Sequence, residues 1–211
     1  MLPKQFRQKR TNKIILMNIL IIGNCGVGKT YVMTELLKYF KCEQGKQVDQ
    51  VYYNTNDSKV LYKYMNEPTP ETRHLRNKIN IIGKYDGSTF QGSDRLSMSV
   101  MTSIDKYLET ENGVNIFEGD RFTNGKFIAK AKPYIVKILG NGKEGRAKRG
   151  SQQTERQIKS ISTRVSNIEA NAEVDSSELL LISLKNILSH NIKKELTKFT
   201  EVWKPQQLNL F

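Results

Sequence analysis

Apolar positions in this chain fall in short unbroken runs separated by longer stretches of mixed polarity. Ile14 to Ile22 is almost continuously apolar, as a strand buried on both faces requires. Tyr31 to Phe40 (YVMTELLKYF) follows with apolar residues at helical spacing. Further strands are predicted at Val48–Asn54, Lys78–Lys84 (KINIIGK), Val114–Phe117 and Pro133–Leu139 (PYIVKIL), and further helices at Val100–Glu109 and Thr154–Ile168. Asp175-Ser-Ser-Glu178 has the composition of a helix start. Beyond it Leu180, Leu184, Ile187, Leu188, Ile192, Leu196 and Phe199 keep helical spacing to Trp203, and Pro205 stops the helix. Glu67-Pro-Thr-Pro70 and residues 85–96 (YDGSTFQGSDRL) read as loops. Strands alternating with helices predict an α/β fold with a parallel sheet covered on both faces, and no internal repeat interrupts it.

The junction between the first strand and the first helix carries the most specific signal. Gly23-Asn24-Cys25-Gly26-Val27-Gly28-Lys29-Thr30 has glycine, four residues, then Gly-Lys-Thr, the pattern of a phosphate-binding loop. Glycines let backbone N–H groups close around phosphates, Lys29 reaches the β- and γ-phosphates, and the Thr30 hydroxyl holds Mg²⁺. The order strand, glycine loop, helix is the one this motif needs. The expected fold is therefore a P-loop NTPase three-layer sandwich with a mostly parallel sheet, an arginine-rich lid and a C-terminal helix. The expected cofactors are ATP (GTP fits the motif equally) and Mg²⁺. The expected organisation is a basic arm at 1–13, a P-loop kinase domain at 14–170 with its lid at about 140–160, a C-terminal helix at 175–204 and a tail at 205–211.

Charge adds a class of partner. The 211 residues carry a net charge of +13, which favours nucleic acid or another polyanion and says nothing about fold. Residues 1–13 hold Lys4, Arg7, Lys9, Arg10 and Lys13 with no acidic residue, and Lys126 to Arg164 holds eleven Lys/Arg against two acidic residues. Gly140, Gly142, Gly145 and Gly150 punctuate that second stretch and predict a mobile loop. Two cysteines, Cys25 and Cys42, and two isolated histidines lack zinc-ligand spacing, and free thiols suit a reducing cytosol. The run IILMNILIIG is too short to span a membrane and runs into the glycine loop without a cleavage-like site, so it reads as a core strand.

Open α/β sheets bind ligands at the carboxyl ends of their strands. Two more polar clusters fall at such ends. Glu118-Gly-Asp120-Arg121 follows an apolar strand; Glu118 or Asp120 is the expected second Mg²⁺ contact, and Arg121 suits an acceptor or a transferring phosphate. Asp120-Arg121-Phe122 also resembles the Asp-Arg-Tyr signature of thymidylate kinases. The other cluster is Lys84-Tyr-Asp86 with Gly92-Ser-Asp94-Arg95. A kinase needs a carboxylate to orient or deprotonate its acceptor hydroxyl; Asp86 is the first candidate, Asp94 the second, and both equally suit turn formation. Arg95 suits a substrate phosphate. Arg146, Lys148, Arg149 and Arg156 suit a lid that stabilises charge in the transition state, or a nucleic-acid surface.

Four stretches together resemble the bacteriophage 5-hydroxymethyluracil DNA kinases: GNCGVGKT (23–30), GKYDGSTFQGSDRLS (83–97), FEGDRF (117–122) and the arginine-rich stretch to STRVSNI (162–168). That family is similar in fold to thymidylate kinases, and the resemblance covers about residues 15–168. It implies transfer of the ATP γ-phosphate to the hydroxymethyl group of a modified pyrimidine in DNA, in the cytoplasm of an infected bacterium. Asp86 or Asp94 would activate the hydroxymethyl oxygen; Lys29, Mg²⁺ on Thr30, Arg121 and the arginines from Arg146 to Arg156 would stabilise the phosphoryl group. A soluble deoxynucleoside monophosphate kinase and a replication-associated ATPase without kinase activity are the alternatives. The chain ends Gln207-Leu-Asn-Leu-Phe211, which looks like the peptide by which bacterial replication proteins bind the sliding clamp.

Overall fold

The computed structural model describes residues 17–56, 77–88 and 91–189. The basic arm, the Glu67–Pro70 loop, the continuation of the last helix to Trp203 and the Gln207–Phe211 tail lie outside the described residues. The first apolar run forms β1 (Met17–Gly23), and the helical pattern after the glycine loop forms α1 (Lys29–Tyr39). A hairpin follows, with β2 (Cys42–Val48) antiparallel to β3 (Val51–Asn56). The single strand expected at Val48–Asn54 is thus two strands around a turn at Asp49 and Gln50, with Asp49 in the left-handed region at φ 54. Then come β4 (Ile79–Ile82), a 3₁₀ turn at Ser93–Arg95, α2 (Val100–Thr110) and β5 (Val114–Glu118). The second half holds α3 (Gly125–Ala131), β6 (Tyr134–Ile138), α4 (Lys143–Lys148), α5 (Glu155–Ser166), β7 (Ala172–Val174) and α6 (Ser177–Ser189).

The strands form one sheet in the order β2-β3-β4-β5-β1-β6-β7. The β4–β5, β5–β1, β1–β6 and β6–β7 pairings are parallel, and the two at the β2 edge are antiparallel. Apolar side chains alternate between the two faces of this sheet. Ile19, Ile21, Ile116 and Val136 pack on one face with Val32, Leu36 and Phe40 of the α1 region and with Leu180, Leu184 and Leu188 of α6. Leu20, Ile22, Phe117 and Ile135 pack on the other with Ile104 and Tyr107 of α2, Phe127 of α3 and Val165 of α5. Helices therefore cover both faces, and α6 belongs to the same core as α1. Thr154 caps α5 in a capping box with Gln157. No helix among the described residues is long and apolar enough to cross a membrane.

This topology positions the site. α1 leaves β1 for one face, and the chain leaves β5 for α3 on the other. The adjacent carboxyl ends of β1 and β5 thus open a crevice, the place where α/β sheets receive ligands.

Candidate functional site

The glycine loop sits at the mouth of that crevice. Gly28 lies at the N-terminus of α1 in the left-handed region, no side chain caps the helix, and no acidic residue stands in its first turn. An uncapped helix N-terminus presents backbone N–H groups and the positive end of the helix dipole. The Lys29 ammonium folds back onto the loop, donating to the Gly23 carbonyl at 2.8 Å and the Asn24 carbonyl at 2.9 Å. Burial lowers its pKa, opposed by the negative charges of Glu118 and Asp94.

Glu118 ends β5 beside Ile21 of β1 and is 3% exposed. Burial pushes its carboxyl up to about 7, against the pull of Lys29 and with the repulsion of Asp94. Its partners are the Ser93 backbone N–H and the Tyr85 hydroxyl, which donates to Oε1 at 3.4 Å. The loop after β4 reaches this carboxylate by doubling back through a bridge between Lys84 and Gly92. A side chain at Gly92 would collide with Glu118 Oε1, so the approach requires glycine there.

The doubled loop separates the two candidate bases. Asp86 lies on the exposed outer side in an ion pair with Arg95, which also donates to the Ser88 hydroxyl at 3.3 Å. The Arg95 guanidinium and the Ser88 donors hold the Asp86 carboxyl well below its ordinary range. Asp94 is also exposed, but its carboxylate lies on the Gly119 side of the loop: partial desolvation raises its pKa, and it feels the charges of Lys29, Asp120, Arg121 and Arg149. The structure therefore brings Asp94, rather than the first candidate Asp86, to Lys29 and Glu118. It also engages Arg95 with Asp86, outside that group.

Asp120 and Arg121 follow Glu118 on a turn pinned by Phe122, which is fully buried against Phe117 and Phe127 with ring centroids 5.0 Å and 4.9 Å away. Asp120 is engaged by Arg164 of α5, whose Nη1 lies 2.9 Å from Oδ1 and whose Nη2 donates to Oδ2 at 3.0 Å. That leaves Glu118 and Asp94 as the carboxylates beside Lys29. The Arg121 guanidinium rests on the Met98 sulfur. The stretch expected to be a mobile loop instead forms α4, which lies directly on the glycine loop. Its Arg146 binds the Cys25 and Asn141 carbonyls, whereas Arg149 acts electrostatically on Lys29 and Asp94.

The donor set fits magnesium held jointly with phosphate. A buried carboxylate pushed to about 7 beside a second carboxylate is a surplus of negative charge that a divalent cation relieves. Among the described residues no cluster of three or more His, Cys, Asp or Glu forms a self-contained cage. Magnesium commonly takes one or two carboxylates, substrate phosphates and water; Glu118 and the Thr30 hydroxyl would supply the protein's share.

Sequence reasoning missed the partner of Asp120 and the separation of Asp86 from Asp94, since both depend on contacts across a folded loop. It also missed a polar ladder at the other end of the sheet. Asn18, Asn115 and Asn80 sit in register on β1, β5 and β4. The signal was present: MNIL, VNIF and INII each place Asn before Ile in an apolar strand.

These features define an α/β protein with a mostly parallel sheet and a charged crevice beside a glycine loop. Comparisons with protein-family models, with curated proteins and with solved structures find no match.

Proposed function

We propose that this protein is an ATP-dependent kinase that phosphorylates the hydroxymethyl group of a modified pyrimidine in DNA. The observation that carries the phosphotransferase reading is the grouping of Lys29, Glu118 and Asp94 at the carboxyl ends of β1 and β5, beside an uncapped helix N-terminus. ATP would supply the γ-phosphoryl group, with Mg²⁺ neutralising charge on its oxygens. Lys29 exchanges two loop carbonyls for phosphate oxygens, a short swing for an ammonium already in the crevice. Asp94 accepts the acceptor's hydroxyl proton as that oxygen bonds to the γ-phosphorus and the bond to the β-phosphate bridging oxygen breaks. Arg149 and Arg121 stabilise charge on the transferring group.

The DNA acceptor is supported by charge and by the resemblance of residues 15–168 to the hydroxymethyluracil DNA kinases. Lys143, Lys148, Arg149, Arg156 and Lys159 are all exposed on or beside α4 and α5, and α4 lies on the glycine loop. Such a surface suits DNA phosphates and makes affinity fall with salt. The proposed tail contact with a sliding clamp would add recruitment to replicated DNA.

Transfer of labelled γ-phosphate tests the reading with three acceptors: DNA containing 5-hydroxymethyluracil, unmodified DNA and free deoxynucleoside monophosphates. Label is expected on the modified DNA alone and is expected to fall about a hundredfold to a thousandfold with Lys29→Ala. Label on the monophosphates alone would replace the DNA reading with a nucleotide kinase, and phosphate release without an acceptor would replace it with an ATPase.

A further inference from the structure

α4 approaches the glycine loop more closely than any side chain would permit. A Cβ on Gly142 would overlap the Cys25 carbonyl oxygen, one on Gly145 the Gly26 carbonyl oxygen, and one on Gly26 the Gly142 carbonyl oxygen. Polar contacts close the same seam. Asn24 Nδ2 donates to the Gly140 carbonyl at 2.7 Å, and Arg146 Nη1 donates to the Cys25 carbonyl at 2.7 Å and the Asn141 carbonyl at 2.5 Å. The helix is only six residues long and has no buried side chain of its own, so this seam is what seats it. Of the three contacts, the one from Arg146 to the Cys25 carbonyl is the one that fixes a peptide orientation in the loop. The chain has no cis peptide bond among its described residues, and in a planar trans peptide the C=O and the following N–H point in opposite directions. Drawing the Cys25 carbonyl toward α4 therefore turns the Gly26 N–H away from α4, to the open side of the loop.

We propose that Arg146 is a positioning residue for nucleotide binding: by holding the Cys25 carbonyl it aims the Gly26 N–H at a phosphate oxygen of a nucleoside triphosphate. Residues 140–148 are then a strut fixed to the loop. Arg146 acts through the loop peptide, while Arg149, one turn further on, faces Lys29 and Asp94. Cys25 fits this account, since only its backbone carbonyl is used. The inference rests on the glycine loop being the nucleotide site.

The test is the Kd of the full chain for a fluorescent ATP analogue with Mg²⁺, measured beside the thermal unfolding midpoint. Arg146→Ala is expected to weaken binding about tenfold to a hundredfold, the span of a charge-assisted hydrogen bond. Arg146→Lys is expected to recover part of that loss, because an ammonium reaches one carbonyl but lacks the planar fork that spans two. In protein labelled with ¹⁵N-glycine, the Gly26 amide resonance should shift on adding ADP in the wild type and lose most of that shift in Arg146→Ala. Arg146→Ala binding as tightly as wild type, with a lowered midpoint only, would overturn the positioning role and leave the kinase reading intact. Should Arg146→Ala fail to fold, the same comparison with Arg146→Lys decides. A wild type that binds no nucleotide would overturn the inference together with the reading beneath it.

Discussion

The two ends of the central sheet bury polar side chains in opposite ways. At the amino end, Asn80 Nδ2 donates to Asn115 Oδ1 at 2.9 Å, Asn115 Nδ2 donates to Asn18 Oδ1 at 2.9 Å, and Asn18 Nδ2 donates to the Ala131 carbonyl at 2.7 Å. The buried Tyr107 hydroxyl adds a bond to Asn115 Oδ1 at 2.8 Å. These groups are neutral, and in-register strands place each amide opposite the next. At the carboxyl end, Lys29, Glu118 and Asp94 are ionisable, and the burial of Glu118 and Lys29 with the partial desolvation of the exposed Asp94 works against their charged forms. A neutral network whose amides pair with one another stabilises a fold and gives it a unique register, and here only Asn80 Oδ1 of the three amides is left without a partner among the described residues. Charges that the fold desolvates without full pairing cost stability, and such groups cluster where chemistry is done. The contrast assigns the amino end to architecture and the carboxyl end to function.

The largest expected effect sharpens the functional side. Asp94→Asn removes the carboxylate that acts on Lys29 and Glu118 and should lower phosphoryl transfer about a hundredfold to ten-thousandfold, the range of general base catalysis. Asp86→Asn breaks only an exposed pair with Arg95 and should leave kcat nearly as in wild type. Steady-state kinetics on the two variants decides; a larger loss from Asp86→Asn would return the base to the outer side of the loop.

Breaking the architectural side should reverse the pattern. Asn115→Ala leaves the Tyr107 hydroxyl and Asn18 Oδ1 without their partner in the ladder, leaves Asn80 Nδ2 only its bond to the Asn112 carbonyl, and opens a small cavity. Unsatisfied buried groups of this kind cost about 1–3 kcal/mol each before relaxation, so a loss of roughly 3 kcal/mol in urea unfolding is expected. Transfer by the folded fraction should stay as in wild type. A fall in kcat at full folding would show that the ladder reaches the site.

The same division explains what the sequence revealed. β1, the glycine loop and α1 were legible because an apolar run, a glycine pattern and helical spacing are all local. Glu118 was legible as the carboxylate that ends an apolar strand. β2 was not: CEQGKQV shows no alternation, because it is an edge strand held by pairing to β3 and bulged between Glu43 and Lys46. β7, three residues long, offers too little pattern to detect. The α4 seam was unreadable for a different reason. Glycines that permit close approach of two backbones look the same in sequence as glycines that permit flexibility, and only the facing loop distinguishes them.

Glu118 joins the two sides of the contrast, since it belongs to the site and also bears on stability. Its carboxyl sits near 4.5 in the unfolded chain and at about 7 in the folded protein, where burial favours the neutral form. Between those values the folded state holds a proton that the unfolded state has released. Stability from this group is therefore full below about 4.5 and is lost as pH rises through 7. A shift of that size is worth on the order of 3 kcal/mol at most. Glu118→Gln removes the titration, so in magnesium-free buffer the variant should lose less stability than wild type between pH 5 and pH 8. The gain at pH 8 should stay below that ceiling, because the neutral amide no longer attracts the buried Lys29 ammonium. Phosphoryl transfer should fall in the same variant as magnesium and phosphate lose a carboxylate. Urea unfolding at the two pH values with kinetics at pH 8 checks both. A variant less stable than wild type at pH 8 would mean that the Lys29–Glu118 attraction outweighs desolvation, and the carboxyl end would then join the architecture it is contrasted with here.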